Sequence, residues 1–141
     1  SFVIDAQTTQ KLNRLTQKHG ATLFMTLLSG FSLLLHRYSG QDDIVVGSPV
    51  ANRNSSEIES LIGFFVNTLP MRVNFSKDIT FSELLAQTKK RVLNIYEHQD
   101  VPFEKIVEAL NISRDTSHSP LFQVMFVLQN TEQEHLELPN L

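Results

Sequence analysis

An α/β fold of stacked sheet and helix layers is what this sequence predicts, and three observations predict it. Two strongly apolar runs, Ile44–Val50 and Leu121–Leu128, read as strands covered on both faces. Leu69, Met71, Val73 and Phe75 alternate with Pro70, Arg72 and Asn74, which gives a strand with one inward face. Between these runs lie stretches of helical periodicity with recognisable start and stop residues, and strands that alternate with helical hairpins build layers. The 141 residues suit one domain or part of a larger one.

Each element has its local reason. Phe2-Val3-Ile4 is a short strand candidate. Asp5 can cap a helix carrying Leu12 and Leu15, with Gly20 as its stop after His19. Thr22 can cap the next helix, which runs to about Tyr38 before Ser39-Gly40. Its stripe of Leu23, Leu27, Phe31, Leu34 and Leu35, widened by Phe24 and Leu28, predicts a buried helix.

Asp42-Asp43 turns into the strand Ile44–Val50, where Pro49 cannot donate to a ladder and marks an edge, a bulge or an end. Residues 51–56 read as a polar loop, 57–61 as a short helix and 64–75 as extended chain. Thr80-Phe81-Ser82-Glu83 is a capping box opening a helix that buries Phe81, Leu84, Leu85, Val92 and Ile95 and ends near His98. Pro102 starts a shorter helix bearing Phe103, Ile106, Val107 and Leu110. Residues 131–141 read as an acidic, irregular tail.

Composition removes several classes of function. A net charge of -3 with no clustered basic face argues against nucleic-acid binding. Lys89, Lys90 and Arg91 run together, but inside an amphipathic helical pattern, where a solvated face explains them. The absence of cysteine removes disulfides, thiolate chemistry and Cys-based zinc sites, and fits a cytoplasmic location. The apolar stretch Leu23–Leu35 is too short, and too interrupted by Thr26, Ser29, Gly30 and Ser32, to span a membrane.

The five histidines, His19, His36, His98, His118 and His135, show no metal-binding spacing, and each has an ordinary structural explanation. No phosphate-binding glycine loop and no Gly-x-Ser-x-Gly elbow is present. Two positions break their local pattern. Asn67 shares the parity of the inward residues of its strand, so it is either a core amide bracing a neighbouring loop or a donor facing a substrate channel. Ser48, between Gly47 and Pro49, is either turn chemistry or a substrate contact.

Three stretches in order carry a family resemblance. Ile62-Gly63-Phe64-Phe65-Val66-Asn67-Thr68-Leu69-Pro70-Met71-Arg72, His98-Gln99-Asp100-Val101-Pro102-Phe103-Glu104 and Arg114-Asp115-Thr116-Ser117-His118-Ser119-Pro120-Leu121 resemble signatures of the condensation domain of nonribosomal peptide synthetases. The resemblance covers nearly the whole chain and implies a fold similar to chloramphenicol acetyltransferase, of which residues 1–141 would be part of the C-terminal subdomain. It implies a parent enzyme that joins aminoacyl or peptidyl thioesters into amides. The implied partners are the N-terminal half of the condensation domain, peptidyl carrier proteins and an adenylation domain. No cofactor binds directly; phosphopantetheine arms of the carriers deliver the substrates.

The family's His-His-x-x-x-Asp-Gly motif is absent, since no two histidines are adjacent, so the resemblance assigns no catalytic residue and no metal to this chain. It makes Asn67 and Ser48 candidates to face the substrate tunnel. Arg53, Arg72, His98, Asp100, Pro102, Phe103, Arg114 and Asp115 are read as structural members of the motifs. An epimerisation domain of the same superfamily and a noncatalytic carrier-docking module are the alternatives.

Overall fold

The computed structural model describes residues 1–51, 66–111 and 119–129. The expected loop at 51–56 beyond its first residue, the helix at 57–61, the start of the extended stretch at Phe64 and the tail at 131–141 lie outside the described residues, as do Arg53, Arg114, Asp115, His118 and His135.

Helix α1 spans Ala6–Lys18 and α2 spans Leu23–Ser39. Their starts follow the expected chemistry: the Asp5 carboxylate accepts from the Thr8 amide at 2.8 Å, and the Thr22 hydroxyl from the Met25 amide at 3.2 Å. Gly40 ends α2 with φ +69°, a conformation that costs a Cβ-bearing residue energy, and its N–H reaches the His36 carbonyl. Helix α3, Phe81–Glu97, opens on the complete Thr80/Glu83 capping box and stops at His98. The short α4 spans Phe103–Ala109.

Strands β1 (Asp43–Val50) and β2 (Asn67–Asn74) pair antiparallel, from Asp43 opposite Asn74 to Val50 opposite Asn67. The inward parity expected for β2 is what forms: Leu69, Met71 and Val73 are buried, with Phe75 just beyond. They meet Ile44 and Val46 of β1, Met25 and Leu28 of α2, and Leu84, Leu85 and Val92 of α3. Helices α2 and α3 thus cover one face of the sheet, and α1 packs against α2.

Three expectations need correction. Phe2-Val3-Ile4 forms no strand; Phe2 and Val3 are 87% and 94% exposed and find no sheet edge. Helix α2 is buried less on its leucine stripe than on Met25, Thr26, Leu28, Ser29 and Ser32, while Leu34 is 50% exposed. Two of the buried hydroxyls have partners at 2.8 Å: Ser29 donates to the Met25 carbonyl one turn back, and Thr26 bonds Thr16 of α1. The third correction concerns Leu121–Leu128. It makes one parallel bridge, Met125 to Gly47, and Met125 and Val127 stay about half exposed, so it is not a strand buried on both faces.

That single bridge is nonetheless specific. The Gly47 N–H donates to the Val124 carbonyl at 2.9 Å, and the Phe126 N–H donates to the Gly47 carbonyl at 2.8 Å. Both polar groups of Gly47 therefore point away from β2. Its partner Pro70 then needs no N–H toward β1, because residues opposite one another in an antiparallel pair alternate between bonded and non-bonded positions. Pro49, two residues on, has the same parity and is tolerated inside β1 for the same reason.

Candidate functional site

The residues singled out in the sequence fall into three places. The first is the start of β2. Asn67 directs its side-chain amide across to the connection between α3 and α4. Its Nδ2 donates to the carbonyls of Gln99 and Val101, each at 2.8 Å. Its Oδ1 accepts from the amides of Thr68 at 2.9 Å and Phe103 at 3.2 Å. A primary amide has two donor hydrogens and two acceptor lone pairs, and all are engaged by backbone.

The Phe103 contact has a particular use. Pro102 occupies the N-cap position of α4 and provides no side-chain cap. This part-buried first-turn N–H would otherwise lack a partner within its helix. Asn67 supplies the missing acceptor from a distant part of the chain, so two of the family-like motifs, Phe-Val-Asn and His-Gln-Asp-x-Pro-Phe, meet in one clamp. Of the two readings open for Asn67, the loop brace accounts for every hydrogen bond it makes.

His98 closes α3, with Nδ1 at 2.9 Å from the Asn94 carbonyl. It lines a small cavity of about 250 Å³ with Leu69, Pro70, Asn94, Ile95, Val101 and Ile106. Asp100 is exposed in the connection between the helices. Phe103 rests against Phe122, ring centroids 5.4 Å apart.

The second place is the middle of β1. Ser48 is 3% exposed and stands opposite Leu69, on the helix-covered face with Val46 and Met71. Its neighbour Gly47 has the more demanding environment. A Cβ built there would fall within 3 Å of the Phe122 ring, so only glycine lets that ring lie on the strand. Phe122 is delivered by a tight turn: Leu121 has φ +71°, and the Phe122 N–H reaches the Pro120 carbonyl at 2.9 Å. This is the strained, positive-φ form of the γ-turn, rare for a branched aliphatic residue.

The third place is the far end of the sheet. Arg72 forks onto Asp43, with Nε and Nη2 donating to the carboxylate at 2.9 and 2.7 Å. The hydrogen bonds from Arg72 hold the Asp43 carboxyl below its ordinary range, and Asp43 in turn raises the guanidinium. Beside this pair, Arg91 of α3 donates to the Arg72 carbonyl at 3.0 Å and to Asn74 Oδ1 at 2.7 Å.

Two features of the site were not singled out by sequence reasoning. One is the seat of Phe122 on Gly47; the glycine inside an otherwise β-branched run was the available signal. The other is the pair Gln87 and Arg91, one helical turn apart on α3 and both reaching β2, whereas the sequence pattern alone puts Arg91 on a solvated face.

The displaced carboxyls, Asp5, Asp43 and Glu83, are all held low by hydrogen bonds, which makes them weaker bases. No group of three or more potential metal ligands comes together among the described residues.

Comparison with known proteins places these features in a family. The condensation-domain family matches residues 1–140. Malpinin synthetase of Mortierella alpina is 54% identical over 137 residues, 97% of this chain and 2% of that protein. A four-domain nonribosomal peptide synthetase solved with AMP and glycine superposes with a TM-score of 0.89 at 30% identity, over 93% of this chain and 10% of that one. The X-domain of teicoplanin biosynthesis, solved in complex with OxyB, superposes with a TM-score of 0.82 at 32% identity, over 86% of this chain and 27% of that one. The chain thus spans a small part of the proteins it matches, and it belongs to the condensation-domain family of nonribosomal peptide synthetases.

Proposed function

We propose that this chain is the scaffold portion of an amide-forming condensation domain, part of a C-terminal half similar to chloramphenicol acetyltransferase. In this reading two thioesters meet in a tunnel between this half and an N-terminal half. They arrive on phosphopantetheine arms of carrier proteins, and the amine of one attacks the carbonyl of the other. The reaction needs orientation of both partners, removal of the amine proton and stabilisation of the oxyanion. The family match over residues 1–140 carries the reading.

The division of labour follows from the residues. The chain has no His-His-x-x-x-Asp-Gly element, so the proton-handling group is supplied from elsewhere in the parent protein. What this chain contributes is shape: the Asn67 clamp fixes the start of β2 against α4, and Phe122 on Gly47 fixes the neighbouring run.

The test is reconstitution. Loaded donor and acceptor carriers are mixed with the 141-residue chain alone, or with a complete domain that includes the double-His half, and amide product is followed by mass spectrometry. Product is expected only from the complete domain. Amide formed by the chain alone, or none formed by the complete domain, would overturn the proposal; racemised thioester without amide would instead support an epimerisation domain.

The likeness to an X-domain solved with a protein bound to it favours one further reading, a noncatalytic docking module. Tight carrier binding by a complete domain that never yields amide would select it.

A further inference from the structure

The outer edge of β2 and the side of α3 enclose a groove of about 620 Å³, lined by Pro70, Arg72, Asn74, Gln87, Lys90 and Arg91 together with Asn94 and Ile95. Because Gly47 turns both polar groups away from β2, ladder alternation turns those of Arg72 and Asn74 out along the other edge of β2, which pairs with no strand among the described residues. A strand edge normally offers both donors and acceptors and invites another strand.

Here the acceptors are taken. Arg91 Nη1 holds the Arg72 carbonyl at 3.0 Å. The Gln87 amide, oriented to satisfy both its ends, donates to the Asn74 carbonyl at 3.3 Å and accepts from Arg91 Nη2 at 3.0 Å. Among the described residues, the N–H groups of Arg72 and Asn74 donate to nothing across that edge.

An edge with its carbonyls blocked and its N–H groups open refuses a strand but suits a ligand made only of acceptors. The charges agree. Arg72 is neutralised by Asp43, whereas Lys90 and Arg91 form no salt bridge among the described residues. The groove therefore keeps an excess of positive charge beside two backbone donors, an arrangement that favours an oxyanion. It also continues into the cavity beside His98, since Pro70, Asn94 and Ile95 line both, and that cavity is otherwise walled by Leu69, Val101 and Ile106.

We infer that this groove is a binding site for a phosphate monoester, with the phosphate on Lys90, Arg91 and the Arg72 and Asn74 amides and a short apolar substituent in the adjoining cavity. The inference is independent of the amide-forming reading and rests on the edge geometry, the charges of Lys90 and Arg91 and the adjoining cavity.

The test titrates the full chain with inorganic phosphate, butyl phosphate and butanol, following backbone amide shifts by NMR. Butyl phosphate should shift the Arg72 and Asn74 amides and bind about tenfold tighter than inorganic phosphate, given the value of burying a few methylenes. Lys90→Gln, at an exposed position, should weaken both phosphates by about tenfold, the worth of one charge-assisted hydrogen bond. Val101→Ser should reduce only the advantage of the butyl chain. Butanol binding as well as butyl phosphate, or titration without movement of the Arg72 and Asn74 amides in the unmodified chain, would overturn the assignment.

Discussion

Asn67 shows how much one side chain can hold together. Three of its four hydrogen bonds join the start of β2 to the turn after α3 and to the first amide of α4, and the fourth holds the amide of Thr68. Asn67→Ala leaves those backbone groups without partners, and the expected loss is about 1–3 kcal/mol of stability. Asn67→Asp should be worse at neutral pH than alanine, because it points a carboxylate at the carbonyls of Gln99 and Val101. Acidification should recover part of that loss, since a protonated carboxyl regains one donor. Urea unfolding of both variants at neutral and mildly acidic pH checks the order and the pH response. In a complete domain, turnover and stability should fall together; a fall in turnover with stability intact would return Asn67 to the substrate channel. The sequence marked Asn67 because it broke the parity of its strand. It did not show where the amide went, since three of its four partners lie more than thirty residues on and offer only backbone.

At the level of elements, what is legible depends on how local the causes are. The caps Asp5, Thr22 and Thr80 act within four residues of themselves, and all three form as read. The third β-like run is different. Leu121–Leu128 has strand composition, yet whether it pairs is decided by Gly47, far away in the chain and opposite a proline. Gly47→Ala should therefore destabilise out of proportion to one methyl group. The ring it would strike is 6% exposed and held by Phe103, so it has no easy retreat. The expected loss is about 1–3 kcal/mol, in the range of an overpacked core. Phe122→Ala removes the obstacle, so in a double-mutant cycle by chemical denaturation the pair should lose less than the sum of the singles. Additive losses would mean that the ring does not rest on the glycine. Burial of α2 was misjudged for a related reason: hydropathy marks the leucines, but the fully buried positions include the small polar Ser29 and Ser32.

Across the whole molecule, two properties sum over many residues. The first is acid sensitivity. Asp43 and Glu83 are both held below their ordinary values of 3.8 and 4.5 by hydrogen bonds that exist only in the folded chain. A depressed carboxyl contributes stability above its unfolded value and loses it as pH falls through the folded one. The thermal midpoint should thus be flat near neutrality and decline below about pH 4, and Arg72→Gln should shallow that decline; an unchanged slope would remove Asp43 from the account. The second property is association. Helix α2 leaves Leu34 and Tyr38 50% and 85% exposed, and the run beside β1 leaves Met125 and Val127 51% and 50% exposed. Phe126, between those last two, packs on Phe24 and Phe31, so the run is fixed to α2 while its alternate residues face outward. Its single bridge to Gly47 leaves the far side of that backbone open among the described residues. An apolar edge of this kind is a template for pairing. The isolated chain should therefore self-associate, with sedimentation and thermal midpoint both dependent on concentration. Met125→Lys combined with Val127→Lys should disperse it without loss of helix content, because neither side chain is in the core. A monomer at all concentrations, with a midpoint that does not move, would show that this edge is already protected.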